Sequence, residues 1–393
     1  MKTIAVIFGG RSAEHDVSVV TALASIIKPL ELTRQYRVEA VYVDKKGAWF
    51  WDDRLKDIKL FSSGEIGQWT SRAHPASVQF DGGMTLVKSS GIAGRKQQRQ
   101  IDIVFPAMHG TYGEDGALMG LLDMAGVPYV GCGVEASALA MNKVLTKTVG
   151  EAHGVPTAKF HSFDRMTLER DPSSAIQETL SKLTFPLFVK PAHGGSSIGI
   201  TKAQNETELR NGLEVAARFD DTLLVEEAVQ NLIEVTLPII GNDDLTPAFL
   251  EQPLLNAEDF FDFDTKYMRE GGGKKMGGAK VGGAKQGAQG YSTIPADLPK
   301  DLYDKAEKVG LQVYRALGCT GIARVDMLID SKAKQVYFNE VNPLPGSLYA
   351  HNWQRRGISN VELVTRLIEL AEARHHERQA LTTTFATNFL KQF

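Results

Sequence analysis

The stretch Gly321-Ile-Ala-Arg-Val-Asp326, followed by Val336-Tyr-Phe-Asn-Glu340-Val-Asn342-Pro343, decides the reading of this chain. Both runs are mostly apolar and rich in β-branched residues, the composition of buried strands. Side chains two apart on a strand share a face. Arg324 and Asp326 therefore share one face, and Glu340 and Asn342 share another. If the runs pair as a hairpin across a turn near 330–334, the two faces coincide. Two carboxylates and an amide oxygen then stand beside an arginine. Magnesium takes hard oxygen ligands, few of them from protein, and completes its shell with water and phosphate. Asp326, Glu340 and Asn342 suit a nucleotide-bridged magnesium site better than a calcium cage. The plainer alternative is a salt-bridged hairpin in which Arg324 neutralises both acids.

Outward from the hairpin, 393 residues are too many for one core and imply two or three domains. The composition, 43% hydrophobic and 23% charged, is that of a soluble globular protein. A net charge of −3 gives no electrostatic case for nucleic acid or an anionic membrane. No apolar run approaches the roughly 20 residues of a membrane helix. The opening run Met1–Phe8 stops at Gly9-Gly10 and reads as a buried first strand rather than a signal peptide. Cys132 and Cys319 have no metal-ligand spacing and read as packing residues in a reducing cytoplasm.

Strand-like runs at 3–8, 37–43 and 101–105 alternate with helix-like runs at 16–30, 114–125 and 134–153. That alternation predicts a parallel α/β sheet up to about residue 135. Residues 45–100 read as a surface excursion with a hairpin. From 157 to 230, short β-rich runs (185–190, 198–201, 222–226) surround one helix near 206–218. A third region has strands at 232–240, 321–329 and 335–341, with long helices near 297–317 and 359–375. The expected domains are 1–135, 136–225 and 226–393. Residues 271–290 hold nine glycines and four lysines. Such a segment buries too little surface to offset its ordering entropy. It reads as a mobile lid within 260–292 rather than an inert linker.

Three further constellations suggest ligands. In Phe188-Val-Lys190-Pro-Ala-His-Gly194-Gly-Ser196-Ser-Ile-Gly199, a strand delivers a lysine and a Gly/Ser loop follows. Glycine lets backbone N–H groups approach a phosphate, and the lysine adds a point charge. Lys143, at a helix start in Met141-Asn-Lys143, is a second cation or only a solvated one. The loop Phe8-Gly-Gly-Arg-Ser-Ala-Glu14 lacks the full glycine pattern of a dinucleotide turn, so a nicotinamide cofactor is rejected. Glu14 is a ligand candidate or a plain helix cap. The loop His109-Gly-Thr-Tyr-Gly-Glu114-Asp-Gly116 follows a strand end, where α/β sheets place ligands.

Taken in order, these pieces resemble the D-alanine–D-alanine ligases of the ATP-grasp superfamily. The resemblance runs through Gly9–Ser18, His109–Gly116, Met141–Lys143, Lys190–Gly199, Lys266-Tyr267, Ala323–Asp326 and Asn339–Gly346. It implies an ATP-grasp fold: an N-terminal parallel-sheet domain, a small central domain and a larger α+β C-terminal domain, with ATP between the last two. By resemblance, Lys143 and Lys190 contact ATP phosphates, Lys266 binds ATP, Glu226 and Val229 line the adenine hinge, and Glu234 lies near the ribose. Asp326, Glu340 and Asn342 bind two magnesium ions, for which manganese can substitute. Glu14 holds the ammonium of the first amino acid through a network with Ser196 and Tyr267. His109 lies near a substrate carboxylate, and Ser347 with Leu348 receives that of the second substrate. Arg324 and the Gly346 N–H face the tetrahedral oxyanion.

The implied reaction joins two D-alanines through an acyl phosphate, for peptidoglycan precursors. It also implies a cytoplasmic homodimer with small-molecule substrates (ATP and D-amino acids) and no nucleic-acid or membrane partner. Three departures stand out: the long Gly/Lys lid, Gly194 where a larger residue is usual, and a turn about four residues shorter before Ser347. The lid and the shortened turn leave open a ligase with another second substrate, such as D-serine, D-lactate or a different amino acid. A catalytically silent ATP-binding regulator is the alternative from another class, disfavoured by Arg324 standing beside the metal set.

Overall fold

The structure, a computed structural model, describes residues 1–90, 95–195, 197–253 and 292–393. The apolar run Lys2–Gly9 is a strand buried along nearly its whole length. It pairs in parallel with Tyr36–Val43 on one side and Ile103–Pro106 on the other. Trp49–Trp51 adds an antiparallel edge strand. The strand ends at Gly9 with φ +92°, where a Cβ would stand 2.2 Å from the Val43 carbonyl oxygen. Only glycine lets the chain turn there. The next helix begins at His15–Val20, widens into a π-helical segment over Thr21–Ile27, and continues as Lys28–Thr33. Its apolar stripe, with Val19, Ala22, Ile26 and Leu30, packs onto the sheet.

The region 45–100 is more ordered than a single hairpin. It forms three short helices, Asp53–Lys56, Ile58–Ser62 and Ile66–Arg72. A three-stranded antiparallel sheet of Ser77–Phe80, Met84–Ser90 and Arg95–Ile101 follows. Met84, Leu86 and Ile101 drop into the core beside the first sheet. The last strand, Arg-Lys-Gln-Gln-Arg-Gln-Ile, has no apolar alternation, so only its pairing partner reveals it.

The run 134–153 is two helices, Val134–Ala140 and Lys143–Ala152. They break at Asn142, whose side-chain oxygen accepts the N–H groups of Val144 and Leu145 as an N-cap. The central sheet is antiparallel, built from Phe160–Asp164, Leu187–Pro191, Thr201–Ala203 and Thr222–Glu227. Beside the expected helix Glu206–Ala216 stand two more, Arg165–Arg170 and Pro172–Lys182. Asp171 caps the second, accepting the Ser174 N–H, with Pro172 opening it.

The third sheet orders Thr246–Pro247, Leu232–Ile240, Ile322–Asp330 and Gln335–Asn342, all antiparallel. Helix Lys300–Ala316 packs on it through Leu302, Val309 and Val313. The final long helix, Asn360–Gln379, turns to the other end of the chain. Its Leu363, Val364, Leu367 and Ile368 share one core with Ile4, Ile26 and Leu30. Arg374 on this helix lies 4.5 Å from the Tyr129 ring centroid and donates to the Tyr129 carbonyl and to Thr320. N-terminal and C-terminal segments thus share a core and the Arg374 contacts.

Candidate active site

The hairpin forms as the sequence predicts. Arg324 pairs with Asn342 and Asp326 with Glu340; the register then shifts, Met327 facing Phe338, so Asn339 bulges out. Bulges beside sites re-aim side chains. Burial alternates along Ile322–Asp330, with Ala323, Val325 and Met327 in the core and Arg324 and Asp326 on the half-buried face. Arg324 Nε donates to Asp326 Oδ1 at 2.6 Å and Nη2 donates to Oδ2, a bidentate pair. Asn342 Nδ2 donates to the same Oδ2 at 3.3 Å. Burial works against the Arg324 charge, but Asp326, and more weakly Glu340, hold its pKa well above the usual value. The ion pair of the plainer reading therefore exists, centred on Asp326. Asp326, Glu340 and Asn342 remain a set of hard oxygens at adjacent register positions, fitting a divalent cation that recruits further oxygens from phosphate.

A buried cationic cluster adjoins the bulge. Lys147, only 1% exposed, places Nζ 2.6 Å from Glu226 Oε1, while Lys190 pairs with Glu226 Oε2. Burial would raise the Glu226 pKa, but the two lysines hold it at about 2. Burial pushes both Lys143 and Lys147 down. Lys190 also donates to Asn339 Oδ1 at 3.4 Å and Lys147 to the Phe338 carbonyl at 3.5 Å, tying central sheet to hairpin. Lys143 donates to the Gly194 carbonyl at 2.6 Å, drawing the glycine loop over the cluster. Lys143, Lys147 and Lys190 gather where the sequence predicts phosphates, facing Glu226 and, for Lys143 and Lys147, Glu340 as well.

The N-terminal loops close the other side. Glu14 stands at the N-cap of His15–Val20 without a side-chain capping bond. Its carboxylate instead lies against two glycines. A Cβ on Gly110 would come within 3.2 Å of Oε2, and one on Gly195 within 3.4 Å of Oε1. Glu14 thus sits where the loops of the first and central sheets meet. His109 is buried, with Nδ1 3.0 Å from Glu114 Oε1 and Nε2 2.9 Å from the Thr21 hydroxyl. Burial lowers its pKa, yet the Glu114 carboxylate leaves it raised overall. Thr21 in turn accepts the Ser347 N–H at 3.0 Å. Ser347 and Tyr349 are half-buried and Leu348 is fully buried. The Tyr349 ring centroid lies 5.1 Å from the Arg324 guanidinium carbon.

Most of the predicted residues converge. Gly346 opens the turn beside Arg324 and Tyr349. Val229 is half-buried in the link 228–231 between the central and third sheets. Glu234 lies on Leu232–Ile240, paired in register with Leu328. Ser196, Lys266, Tyr267 and the lid through residue 291 lie outside the described residues. Sequence reading missed Lys147, although it stands one helical turn after Lys143. It also missed Glu114 as the partner of His109, and Thr21, Tyr349 and the Glu251–His351 pair at 2.8 Å. None of these has a motif of its own.

With this geometry in hand, likeness to known proteins becomes specific. The family model "D-ala D-ala ligase N-terminus" matches residues 3–132, and "D-ala D-ala ligase C-terminus" matches 149–369. The chain is 34% identical over 389 residues to a D-alanine–D-alanine ligase of Acetivibrio thermocellus, spanning 96% of this chain and 97% of the relative. It is 36% identical over 375 residues to that of Chlorobium luteolum, spanning 94% and 96%. Among solved structures, the D-alanine-D-alanine ligase of Coxiella burnetii superposes with a TM-score of 0.75 at 28% identity, covering 96% of this chain and 97% of that one. The VanG D-Ala:D-Ser ligase of Enterococcus faecalis gives the same TM-score and identity, covering 94% and 99%. The sheets described above are therefore those of the ATP-grasp fold, and the chain belongs to the D-alanine–D-alanine ligase family.

Proposed function

We propose that this protein joins two D-alanines into D-alanyl-D-alanine at the expense of ATP, through an acyl phosphate. The observation that carries this reading is the hairpin: Arg324 and the oxygens of Asp326, Glu340 and Asn342 at adjacent register positions, beside the buried lysines. Asp326, Glu340 and Asn342 would hold two magnesium ions, which when bound neutralise charge on the triphosphate. Lys143 and Lys190 would meet the phosphates and Lys266 would also bind ATP, while Glu226 and Val229 border the adenine and Glu234 the ribose. Domains divided near 135 and 225 would place the nucleotide between the central and C-terminal sheets.

Glu14 would hold the donor's ammonium, supported by Ser196 and Tyr267. A donor carboxylate oxygen attacks the γ-phosphorus, the bond to the β-phosphate oxygen breaks, and ADP leaves. The acceptor's amine then attacks the acyl carbon, its carboxylate held by Ser347 and Leu348. Arg324 and the Gly346 N–H stabilise the tetrahedral oxyanion, each such donor contributing about 3–4 kcal/mol in comparable sites. The oxyanion collapses, inorganic phosphate departs, and the amine proton is lost. His109, joined through Thr21 to the Ser347 turn, would lie near the substrate carboxylate.

The product suits peptidoglycan precursor synthesis by a cytoplasmic homodimer. Among the described residues no helix is long and apolar enough to cross a membrane. An ADP-release assay across D- and L-amino acids, alone and in pairs, tests the reading. The expected result is release strongest with D-alanine and formation of the dipeptide. Release with no preference for D-alanine would overturn it, and a preference for D-serine or D-lactate as acceptor would reassign the second substrate.

A further inference from the structure

Three consecutive non-glycine residues, Ser347, Leu348 and Tyr349, have φ of 51°, 53° and 52°. L-residues rarely adopt the left-handed region even singly, and a run of three persists only when its surroundings enforce it. This turn is the shortened segment that presents Ser347. Leu348 is buried in the core shared with Ile26 and Trp353. Tyr349 lies over Arg324. Two hydrogen bonds add to this: the Leu348 N–H donates to the Pro345 carbonyl at 2.9 Å, and, from a distant segment, the Thr21 hydroxyl oxygen accepts the Ser347 N–H at 3.0 Å.

Thr21 is itself oriented. It is fully buried at the first position of the π-helical segment, beside His109. The Glu114 carboxylate only accepts hydrogen bonds, so His109 Nδ1 carries the proton that faces it. In the neutral ring Nε2 accepts the Thr21 O–H, and in the charged ring Nε2–H donates to the hydroxyl oxygen; in both states that oxygen keeps a lone pair for the Ser347 N–H. The Gly110 N–H fixes the other oxygen of Glu114 at 2.7 Å.

We propose that Thr21 is a positioning residue for the acceptor: its hydroxyl clamps the left-handed turn and so sets where Ser347 holds the second substrate's carboxylate. The proposal rests on the assignment of Ser347 to that carboxylate. Thr21 bonds His109 and Ser347 rather than the lysine cluster around Glu226, so its loss is expected to act on the acceptor side. Steady-state ADP release by the full chain, with donor and acceptor D-alanine sites resolved, tests it. Thr21→Val is expected to raise the acceptor KM tenfold or more while the donor KM, the ATP KM and kcat move less than threefold. Thr21→Ser is expected to restore the acceptor KM to within threefold. A uniform change in all constants, or a lowered Tm with unchanged kinetics, would mean a merely structural residue and overturn the proposal. Should Thr21→Val not fold, Thr21→Cys keeps the volume, weakens the bond and carries the same comparison. Ser347→Ala separates the two layers, because it retains the N–H that Thr21 binds. If Ser347→Ala raises the acceptor KM and Thr21→Val does not, only the clamp fails. If Ser347→Ala leaves it unchanged, the carboxylate assignment fails with it. Wild-type protein inert with D-alanine would overturn the functional reading as well.

Discussion

The two oxygens of Glu226 are held by different lysines, Oε1 by Lys147 at 2.6 Å and Oε2 by Lys190. A lysine that is to meet a phosphate can leave this carboxylate only if another cation stays behind. Lys147, wholly buried and reaching no solvent, is that resident partner.

Lys147→Met should therefore cost stability, because removing one member of a buried ion network leaves charge poorly compensated. The expected loss is about 3 kcal/mol in urea unfolding, the low end for such sites because Lys190 remains. The ATP KM should rise too, since Lys190 is then tied to Glu226. A stability change within error would show that Lys147 contributes no net charge compensation.

Glu226 also carries an acid signature. Its folded pKa of about 2 lies below the ordinary carboxylate range, so its contribution is full above that range. The contribution is lost as pH falls toward 2. Glu226→Gln should flatten the fall of Tm between about pH 4.5 and pH 2, measured by calorimetry. An unchanged slope would mean that the charge is not retained in the folded protein.

Asp326→Asn should lower kcat at least 100-fold while shifting Tm by a few degrees at most. The half-buried hairpin keeps its register, and Arg324 keeps the Tyr349 ring and the nearby charge of Glu340. ADP release and circular dichroism together check this. Near-normal turnover would remove Asp326 from the cation set.

His109 has a raised folded pKa, faced by Glu114 and Glu14 as anions and by Arg324 as a cation. The stability of its charged pair with Glu114 is therefore full below about pH 6.5 and lost as pH rises through the raised value. The Tm gap between wild type and His109→Gln should be wider at pH 6 than at pH 9. A gap independent of pH would mean that the ring stays neutral throughout.

Leu348→Ala should cost roughly 2–5 kcal/mol, as for other fully buried leucines. It also loosens the left-handed turn, so the acceptor KM should rise with it. Chemical unfolding and kinetics on one preparation separate the two effects.

How much of this was legible in the chain depends on how local the signal is. The first strand, the hairpin and the long helices follow from apolar runs and periodicity, and they form where expected. The three-stranded sheet within 45–100 is not legible because its last strand is polar on both faces from Arg95 to Gln100, its strand state coming from pairing. Helix Pro172–Lys182 carries the start signal Asp171-Pro172, but its buried stripe of Ala175, Ile176 and Thr179 is too short and weakly apolar to mark a helix by periodicity.

The sequence by itself determined which side chains share a face of the hairpin, because strand alternation depends only on neighbouring residues. Arg324 with Asp326, and Glu340 with Asn342, follow from that. Only the tertiary structure decided the partners that make these groups useful: Lys147 under Glu226, Glu114 behind His109, and Thr21 against the N–H of Ser347. Those contacts depend on where distant segments pack, and a side chain's identity carries no record of which far residue it will meet. The left-handed turn at Ser347 is the clearest case, since nothing in Gly346-Ser-Leu-Tyr349 prefers that conformation until the core, Arg324 and Thr21 impose it.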